Sequence, residues 1–346
     1  MTTQISPLLD EAQRSASYDE SLTPETWLHA RNVGYSINGK QLLSNVDAQF
    51  APKTITALMG PSGAGKTTLL NTLSARSAGD RTGDILVNGR AISRRRIRLL
   101  LSYMPQDDIL YMELTVRQML IYSALLRCPR EWTHDAKLER VETIMTTLGM
   151  SHVADNVLYN VSGGQRKRAS AAVEFLSTRP LLFMDEPTSG LDSATAAALA
   201  LKLRDAAKHE RRTVIATIHQ PSWNLLCDNF DRVLLLSVDG DRGGCVAFDG
   251  PPKELPGHFA AGGAPSPTGE NPADHMMYVM SGEGGAKWAD FWAGCDMRKF
   301  VAKDIEQNVT TLAADSKRHV IPGGAHDDLD DDDLDDDEES ACPALL

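Results

Sequence analysis

Short apolar runs separated by turn residues occupy the first third of this chain. Residues 54–59 form such a run and predict a buried strand that leads directly into a glycine-rich segment. Residues 67–73 are predicted to continue as a helix, and two Asn-Gly pairs, Asn38-Gly39 and Asn88-Gly89, predict hairpin turns. The pattern therefore predicts hairpins beside a unit in which strand, glycine-rich turn and helix follow one another.

The pattern becomes helical from about residue 107 to residue 178. Thr115 and Gln118 have the T-x-x-Q spacing of a capping box in front of an apolar pair, which predicts a helix start. Further on, apolar residues recur at helical spacing and a glycine follows them (Leu138, Val141, Met145, Leu148 and Gly149). We expect a helical subdomain over this region.

Strand-like runs return in the second half of the chain, at residues 181–184, 213–217, 232–238 and 245–248. An Ala/Leu-rich segment at 193–208 predicts a helix between the first two runs, and weaker helical patterns cover 272–280 and 288–307. Alternating strands and helices predict an α/β fold with a mostly parallel sheet that is covered on both faces.

Charge is concentrated at one end of the sequence. The formal net charge of the 346 residues is −12, but residues 327–339 alone hold eleven Asp and Glu residues, so −12 plus 11 leaves about −1 elsewhere. A nearly neutral body argues against a nucleic-acid partner. Five cysteines without C-x-x-C spacing predict reduced thiols in a cytosolic setting.

These signals divide the chain into four predicted parts. We expect a disordered lead-in at residues 1–25, one globular domain at 26–285, a linker or helix at 286–321 and a disordered acidic tail at 322–346. The start has no signal-peptide pattern, and no apolar run approaches the ~20 residues that a membrane-spanning helix needs.

The segment from Gly60 to Thr67 fits the phosphate-binding pattern G-x-x-x-x-G-K-[ST] between the predicted strand and helix. Glycines let successive backbone N–H groups turn toward phosphates, Lys66 adds a positive charge, and the Thr67 hydroxyl is placed to bind Mg²⁺. The predicted ATP contacts are Gly60, Pro61, Ser62, Gly63, Ala64, Gly65, Lys66, Thr67 and Thr68.

Two adjacent carboxylates, Asp185 and Glu186, end the apolar run at 181–184. A buried strand has no structural reason to end this way, because like charges repel and their desolvation is costly. A divalent cation and a water to be activated supply a reason, with Asp185 as the Mg²⁺ ligand and Glu186 as the group that polarises the water. The alternative is a pair of solvated acids at a strand end.

Ser162-Gly163-Gly164-Gln165 stands in front of a helix whose first turn carries Arg166, Lys167 and Arg168. The glycines allow a close approach to a phosphate, and Ser162 can donate to one. Cations oppose the dipole of a first turn, so we expect an anion or an acidic surface nearby. This run is predicted to touch ATP only when a second copy of the domain supplies it.

Three more residues have predicted contacts with the nucleotide site. His219 follows the run at 213–217 and is expected near the γ-phosphate, Gln106 near Mg²⁺ and the attacking water, and Tyr35 stacked on the adenine. The alternatives are a structural histidine and a core tyrosine. The basic run Arg94, Arg95, Arg96 and Arg98 is interpreted as a solvated sheet edge, and the acidic tail as a solubilising terminus.

Together these segments resemble the nucleotide-binding domain of ABC transporters, over roughly residues 25–285. Residues 60–67 look like Walker A, Gln106 like the Q-loop, 161–165 like the signature motif, 181–186 like Walker B, 189–192 with Asp192 like the D-loop, and His219 like the H-loop. The stretches at 103–108, 161–168, 218–222 and 271–274 are similar to the G (White) subfamily, except that Gln165 stands where that subfamily usually has Glu.

The resemblance implies a P-loop ATPase fold of the ABC type, with a mostly parallel core, an antiparallel β edge and the helical subdomain. It further implies ATP and Mg²⁺ as ligands, with ATP between Walker A of one copy and Ser162, Gly163, Gly164 and Gln165 of the other, and with Asp192 as a further nucleotide contact. The second copy is expected to form a homodimer or a heterodimer. A transmembrane domain, supplied in cis or in trans, would place the chain at the cytoplasmic face of a membrane.

Two other functions compete with a transport ATPase. A soluble ABC-type ATPase in translation, repair or chromosome maintenance usually carries tandem cassettes, coiled coils or metal-binding cysteines, and this sequence has none of these. A regulator that binds ATP without hydrolysing it is disfavoured by the presence of Glu186, His219 and Gln106.

Overall fold

The computed structural model describes residues 24–240, 242–281 and 284–314. The strands are β1 (Leu28–Ile37), β2 (Lys40–Phe50), β3 (Ile55–Met59), β4 (Asp80–Val87), β5 (Arg90–Ala91), β6 (Leu101–Met104), β7 (Leu181–Met184), β8 (Thr213–Thr217), β9 (Arg232–Asp239) and β10 (Gly243–Gly250). The predicted acidic tail and most of the predicted lead-in lie outside the described residues.

The helices connect these strands or pack against them. They are α1 (Lys66–Leu73), α2 (Arg94–Leu100), α3 (Val116–Arg127), α4 (His134–Thr147), α5 (Gly163–Leu176), α6 (Ser193–Lys208), α7 (Trp223–Asn229), α8 (Leu255–Ala261), α9 (Pro272–Met280), α10 (Gly284–Gly294) and α11 (Asp296–Ala314). Short 3₁₀ turns occur at Ser151–Val153, Leu158–Asn160 and Pro252–Glu254.

One sheet of ten strands contains all of these strands, in the order β5-β4-β1-β2-β10-β9-β3-β8-β7-β6. Neighbours from β9 through β3, β8 and β7 to β6 run parallel, whereas β1 pairs antiparallel with both β2 and β4. Strands β3, β6, β7 and β8 are buried at every position, which explains why they appear in the sequence as continuous apolar runs.

The hairpin predictions are confirmed at both Asn-Gly pairs. Asn38 and Gly39 connect β1 to β2 with φ of 52° and 76°, and Asn88 and Gly89 connect β4 to β5 with φ of 48° and 76°. Positive φ at both central residues is the geometry of the tight hairpin turn that Asn-Gly favours.

Helices α3, α4 and α5 form a helical module (residues 115–176) between β6 and β7. Thr115 caps α3 in the predicted capping box: its side chain accepts from the Gln118 amide while the Gln118 side chain accepts from the Thr115 amide. The amphipathic segment predicted from Leu138 is α4, and Gly149 follows it with a φ of 62°.

Two expectations about secondary structure were wrong. The basic run is a helix, α2, that begins after the N-cap Ser93, buries Ile97 and Leu100 and carries its arginines on the outer side. The prediction of a sheet edge failed because a short amphipathic helix and a polar edge strand can have the same composition. The single helix predicted at 288–307 is part of two helices, because the helical conformation is interrupted at Cys295 between α10 and α11.

A buried ion cluster joins the helical module to the parallel sheet region. Glu210, in the turn after α6, accepts from Arg140 of α4 at 2.7 Å and lies 3.6 Å from both Lys202 and Arg212. Burial alone would raise the pKa of Glu210, but the three cations more than offset it and hold the pKa at about 2. The carboxylate is therefore charged in the folded protein even in weak acid.

We expect Glu210→Gln to destabilise the protein at neutral pH and to weaken the acid dependence of its stability. A carboxyl whose pKa falls from 4.5 to about 2 on folding contributes about 3 kcal/mol above pH 4.5, and this is lost as the pH falls toward 2. The difference in free energy of unfolding between wild type and variant, from denaturant titrations at several pH values, should shrink below pH 4.5. Glu142→Gln, which removes an exposed partner of Arg117, is the control and should change stability by about 1 kcal/mol or less.

Candidate functional site

Four neighbouring parallel strands present the predicted site residues at one edge of the sheet. The glycine-rich loop (residues 60–65) follows β3, His219 lies two residues beyond β8, Asp185 follows β7, and Gln106 lies two residues beyond β6. Adjacent strands in a sheet are about 4.8 Å apart, so the residues that follow these four strands begin from neighbouring places in the structure. Residues far apart in the sequence are thus gathered at the carboxyl ends of the strands, where ligands bind in open α/β sheets.

The glycine-rich loop has a backbone that side chains disfavour. Gly60, Gly63 and Gly65 all have positive φ, at 148°, 80° and 84°. A Cβ at Gly60 would lie 2.4 Å from the Leu236 carbonyl oxygen, so the loop is pressed against β9. The loop ends where α1 begins, at Lys66, and its amides are therefore continuous with a helix N-terminus.

Lys66 folds back over this loop. Its Nζ donates to the carbonyl oxygens of Gly60 at 2.7 Å and Pro61 at 2.9 Å, and the residue is 9% exposed. Burial lowers the pKa of Lys66, while the negative charges of Glu186 and Asp185 oppose that shift. The ammonium is therefore hydrogen-bonded to the loop and lies within electrostatic reach of the carboxylates that end β7.

Asp185 is buried with one oxygen satisfied and one without a partner. Thr217 Oγ1 donates to Asp185 Oδ1 at 2.6 Å, whereas Oδ2 is buried and has no hydrogen-bond partner among the described residues. A buried, unpaired carboxylate oxygen is costly unless a cation binds it. Within the described part of the chain no cluster of three or more His, Cys, Asp or Glu side chains suits a metal. A hard cation bound by one carboxylate, a hydroxyl and water fits Asp185 and the exposed Thr67.

Glu186 is held in a strained conformation beside Asp185. Its φ of 49° is left-handed, which costs a residue other than glycine about 1–2 kcal/mol. Its amide donates to Thr217 Oγ1 at 2.6 Å, and Gln106 Nε2 donates to Glu186 Oε2 at 3.2 Å. Strain of this kind persists where the surroundings fix a functional side chain.

Thr217 is a site residue that the sequence reasoning missed. Its hydroxyl connects the Asp185 carboxylate to the Glu186 amide, and the residue is fully buried at the end of β8. The available signal was a hydroxyl residue at the carboxyl end of an apolar strand. Only the pairing of β8 with β7, however, shows which residues that hydroxyl meets.

His219 is exposed at the same edge of the sheet. The Ile218 amide before it donates to the Leu58 carbonyl oxygen at 3.1 Å, which fixes the chain beside the end of β3. The predicted approach of the imidazole to a γ-phosphate stays a prediction.

The signature run lies at the exposed N-terminus of α5. Ser162 is the N-cap, its Oγ accepts from the Gln165 amide at 3.3 Å, and Gln165 Oε1 accepts from the Ser162 amide at 2.9 Å. Gly163 is also exposed. This run belongs to the helical module, separate from the groups that follow β3, β6, β7 and β8.

The cations after this run have an acidic group nearby, as expected, because Lys167 Nζ lies 3.8 Å from Asp108 Oδ1. Arg166 donates to the Val161 carbonyl oxygen at 2.8 Å, Lys167 to that of Gln106 at 2.5 Å, and Arg168 to that of Leu148 at 2.9 Å. Carbonyl oxygens from the preceding turn and from neighbouring loops thus compensate the charges.

Asp192 caps α6 in the isolated chain. Its carboxylate accepts from the Thr195 amide at 3.0 Å and from the Thr195 hydroxyl at 2.7 Å, and these bonds lower its pKa. Gly164 faces Leu191, the residue before Asp192, since a Cβ on Gly164 would lie 3.3 Å from the Leu191 side chain. The segment 189–192 is therefore next to the signature run, and a nucleotide contact of Asp192 stays a prediction.

Tyr35 is not placed to stack on an adenine, and that prediction was wrong. The residue is 5% exposed, and its hydroxyl accepts from the Gly79 amide at 2.8 Å. A base cannot stack on a ring whose faces are covered. The exposed apolar side chain at this end of β1 is Ile37, two residues further on.

Known proteins are similar to this chain over most of its length. The ABC transporter family model matches residues 43–189. ABC transporter G family member 25 of Oryza sativa subsp. japonica is 36% identical over 273 residues, which are 77% of this chain and 27% of that protein. The broad substrate specificity ATP-binding cassette transporter ABCG2 of Sus scrofa is 38% identical over 253 residues, or 71% of this chain and 37% of that protein. The chain thus spans well under half the length of these relatives.

The fold has a counterpart among solved structures. The structure of cbiO1 from Clostridium perfringens matches with a TM-score of 0.55 at 24% identity, covering 66% of this chain and 89% of that one. The fold is therefore that of an ABC-type P-loop ATPase, as predicted. Among the described helices, none is both long and apolar enough to cross a membrane. The chain belongs to the ABC transporter family, within which it is similar to the G-family transporters.

Proposed function

We propose that this chain binds and hydrolyses ATP and, paired with a second nucleotide-binding domain and a transmembrane domain, powers the movement of a substrate across a membrane. Membership of the family implies nucleotide binding in general. The observation that carries the proposal is the convergence of Lys66, Asp185, Glu186 and Gln106 at one sheet edge, with the Gln106 amide bonded to the Glu186 carboxylate.

Each residue has a distinct role in this reaction. The amides of residues 60–65 and the Lys66 ammonium, which now donates to two loop carbonyls, would bind the β- and γ-phosphates. Thr67 and Asp185, with Gln106, would hold Mg²⁺, which neutralises charge on the transferred phosphoryl group. Glu186, oriented by Thr217 and Gln106, would take the proton of the attacking water.

The signature run accounts for the need for a second domain. Ser162 and Gly163 are exposed at the N-terminus of a 14-residue helix, which favours an anionic group. They lie on the helical module and would complete the site of a partner whose phosphate loop faces them. Both halves of such a site are intact in this chain, so a homodimer would be competent.

Exposed apolar side chains in the loop before α3 and at the Leu158–Asn160 turn support docking of a membrane domain. Ile109, Tyr111 and Tyr159 are 78%, 72% and 76% exposed. Tyr111 and Tyr159 belong to segments joined by the Tyr159 amide, which donates to the Met112 carbonyl oxygen at 3.0 Å. Clustered exposed aromatic and aliphatic side chains are typical of protein interfaces. In this arrangement the chain would lie at the cytoplasmic face of the membrane.

The concentration dependence of ATP hydrolysis tests the paired site. Phosphate release from MgATP should rise with the square of protein concentration at low concentration, because two chains complete each site. A full rate from a protein that stays monomeric in sedimentation experiments would contradict the proposal and leave a one-chain NTPase.

We expect Ser162→Ala to lower phosphate release while a single chain still binds ATP. The substitution removes the exposed hydroxyl of the signature run and also a helix cap, whose loss alone costs about 1 kcal/mol of stability. Thr115→Ala is the matched control, since it breaks the same capping box on α3. If both variants lose stability equally and keep equal activity, Ser162 has no role in the partner's site.

A further inference from the structure

The Lys167 ammonium is buried between the signature helix and the loop that carries Gln106. Lys167 lies in the first turn of α5 and is 7% exposed. Its Nζ donates to the Gln106 carbonyl oxygen at 2.5 Å and lies 3.8 Å from Asp108 Oδ1. A buried ammonium is costly unless it is hydrogen-bonded and paired, so this contact fixes the loop and the helix to each other.

The flanking arginines do not make this connection. Arg166 donates to Val161 and Arg168 to Leu148 and Gly149, all of which are residues of the helical module. Among the three cations, Lys167 is thus the one whose described hydrogen bond connects the helical module to a residue outside it, Gln106. The two segments it joins are 61 residues apart in the sequence.

Gln106 forms hydrogen bonds through both its backbone and its side chain. Its backbone carbonyl accepts from Lys167, and its side-chain amide donates to the Glu186 carboxylate at 3.2 Å. The backbone on one side runs into β6 of the sheet, and on the other side it leads to α3 of the helical module. Gln106 therefore stands between α5 and the predicted general base, with one hydrogen bond to each.

We infer that Lys167 is a positioning residue: it holds the Gln106 backbone against α5, so that a displacement of the signature end of α5 also moves the Gln106 amide relative to Glu186. When Ser162 contacts the nucleotide held by the partner chain, the change would reach the nucleotide site of its own chain. The connection runs from Ser162 through Lys167 and Gln106 to Glu186. The inference rests on the proposed ATPase function.

Lys167→Met tests the link, because it keeps the length of the side chain and removes the donor. We expect kcat for ATP hydrolysis to fall about ten- to hundredfold, as for a misplaced catalytic group, while KM for ATP changes little. Lys167→Arg, which keeps a donor, should recover part of the rate. Arg168→Met is the matched control: it removes a similar cation–carbonyl bond from the next residue and should leave kcat close to that of the wild type.

A double-mutant cycle separates positioning from general loss of structure. In a Gln106→Ala background, Lys167→Met should cause little further loss of kcat, because its effect passes through Gln106. If the fold-losses of kcat in the two single variants instead multiply in the double variant, the inference is overturned, even when the wild type is fully active.

Hydrogen exchange of the nucleotide-free protein gives a second readout that does not depend on turnover. Backbone amides of residues 106–109 should exchange faster in Lys167→Met than in the wild type or in Arg168→Met, whereas the sheet strands should exchange alike in all three. Unchanged exchange in this segment would overturn the inference. An inactive wild type with the expected exchange pattern would instead contradict the proposed function alone.

Discussion

Glu186→Gln should lower kcat for ATP hydrolysis by about 10²–10⁴-fold while ATP still binds, because the amide cannot accept the proton of the attacking water. The side chain keeps its volume, the Thr217 hydroxyl still holds the backbone amide of residue 186, and the Gln106 amide can still donate to the side-chain oxygen. Unconsumed ATP would keep two chains closed on each other. Single-turnover phosphate release, together with size-exclusion chromatography with and without MgATP, would measure both effects.

Glu131→Gln is the matched control for this substitution, because Glu131 is exposed at the start of the segment before α4. It removes the same charge and should change neither turnover nor dimerisation. If Glu186→Gln hydrolyses ATP at the wild-type rate, the role of Glu186 as the base is wrong, and the strain at its φ of 49° needs another explanation.

Lys66→Ala should weaken ATP binding by roughly 1.5–3 kcal/mol, the range for a hydrogen bond to a charged group, which is roughly a ten- to 150-fold rise in Kd. Lys66 already points into the glycine-rich loop, where it donates to the Gly60 and Pro61 carbonyl oxygens. Little side-chain ordering is therefore needed when a phosphate replaces these acceptors. Titration calorimetry with ATP in the presence of Mg²⁺ would give the dissociation constant directly.

Lys40→Ala is the control for Lys66→Ala, since Lys40 is exposed at the β1–β2 turn and should not alter affinity. Lys66→Met separates the loss of charge from a collapse of the loop, because it keeps an unbranched side chain over the two carbonyls. An unchanged dissociation constant in both Lys66 variants, each with a native thermal midpoint, would refute the assigned contact with phosphate.

Much of the site was predictable because its information is local. The strand before Gly60, the three glycines with positive φ and the helix from Lys66 are consecutive in the chain, so one short segment specifies both the loop and its helix N-terminus. The same holds for the capping box at Thr115 and the hairpin turn at Asn38, where side-chain and backbone preferences act within a few residues.

Burial was harder to predict, because the same residue types suit more than one environment. Tyr35 fits a strand equally well with its ring in the core or beside a ligand, and its place under Gly79 depends on how β1 pairs with β4. The arginines at 94–98 suit either a sheet edge or the exposed side of a helix. Ile97 and Leu100 decide the matter only because other elements cover them.

The sequence by itself determined the family, the unit of strand, glycine-rich loop and helix around residues 54–73, and the chemical identity of the groups that end β3, β6, β7 and β8. The tertiary structure alone decided the contacts of Thr217 with Asp185 and Glu186, and of Lys167 with Gln106. The reason is that local preferences depend on neighbours a few residues away. These contacts join segments 31, 32 and 61 residues apart, and only strand pairing and the packing of α5 against the loop bring them together.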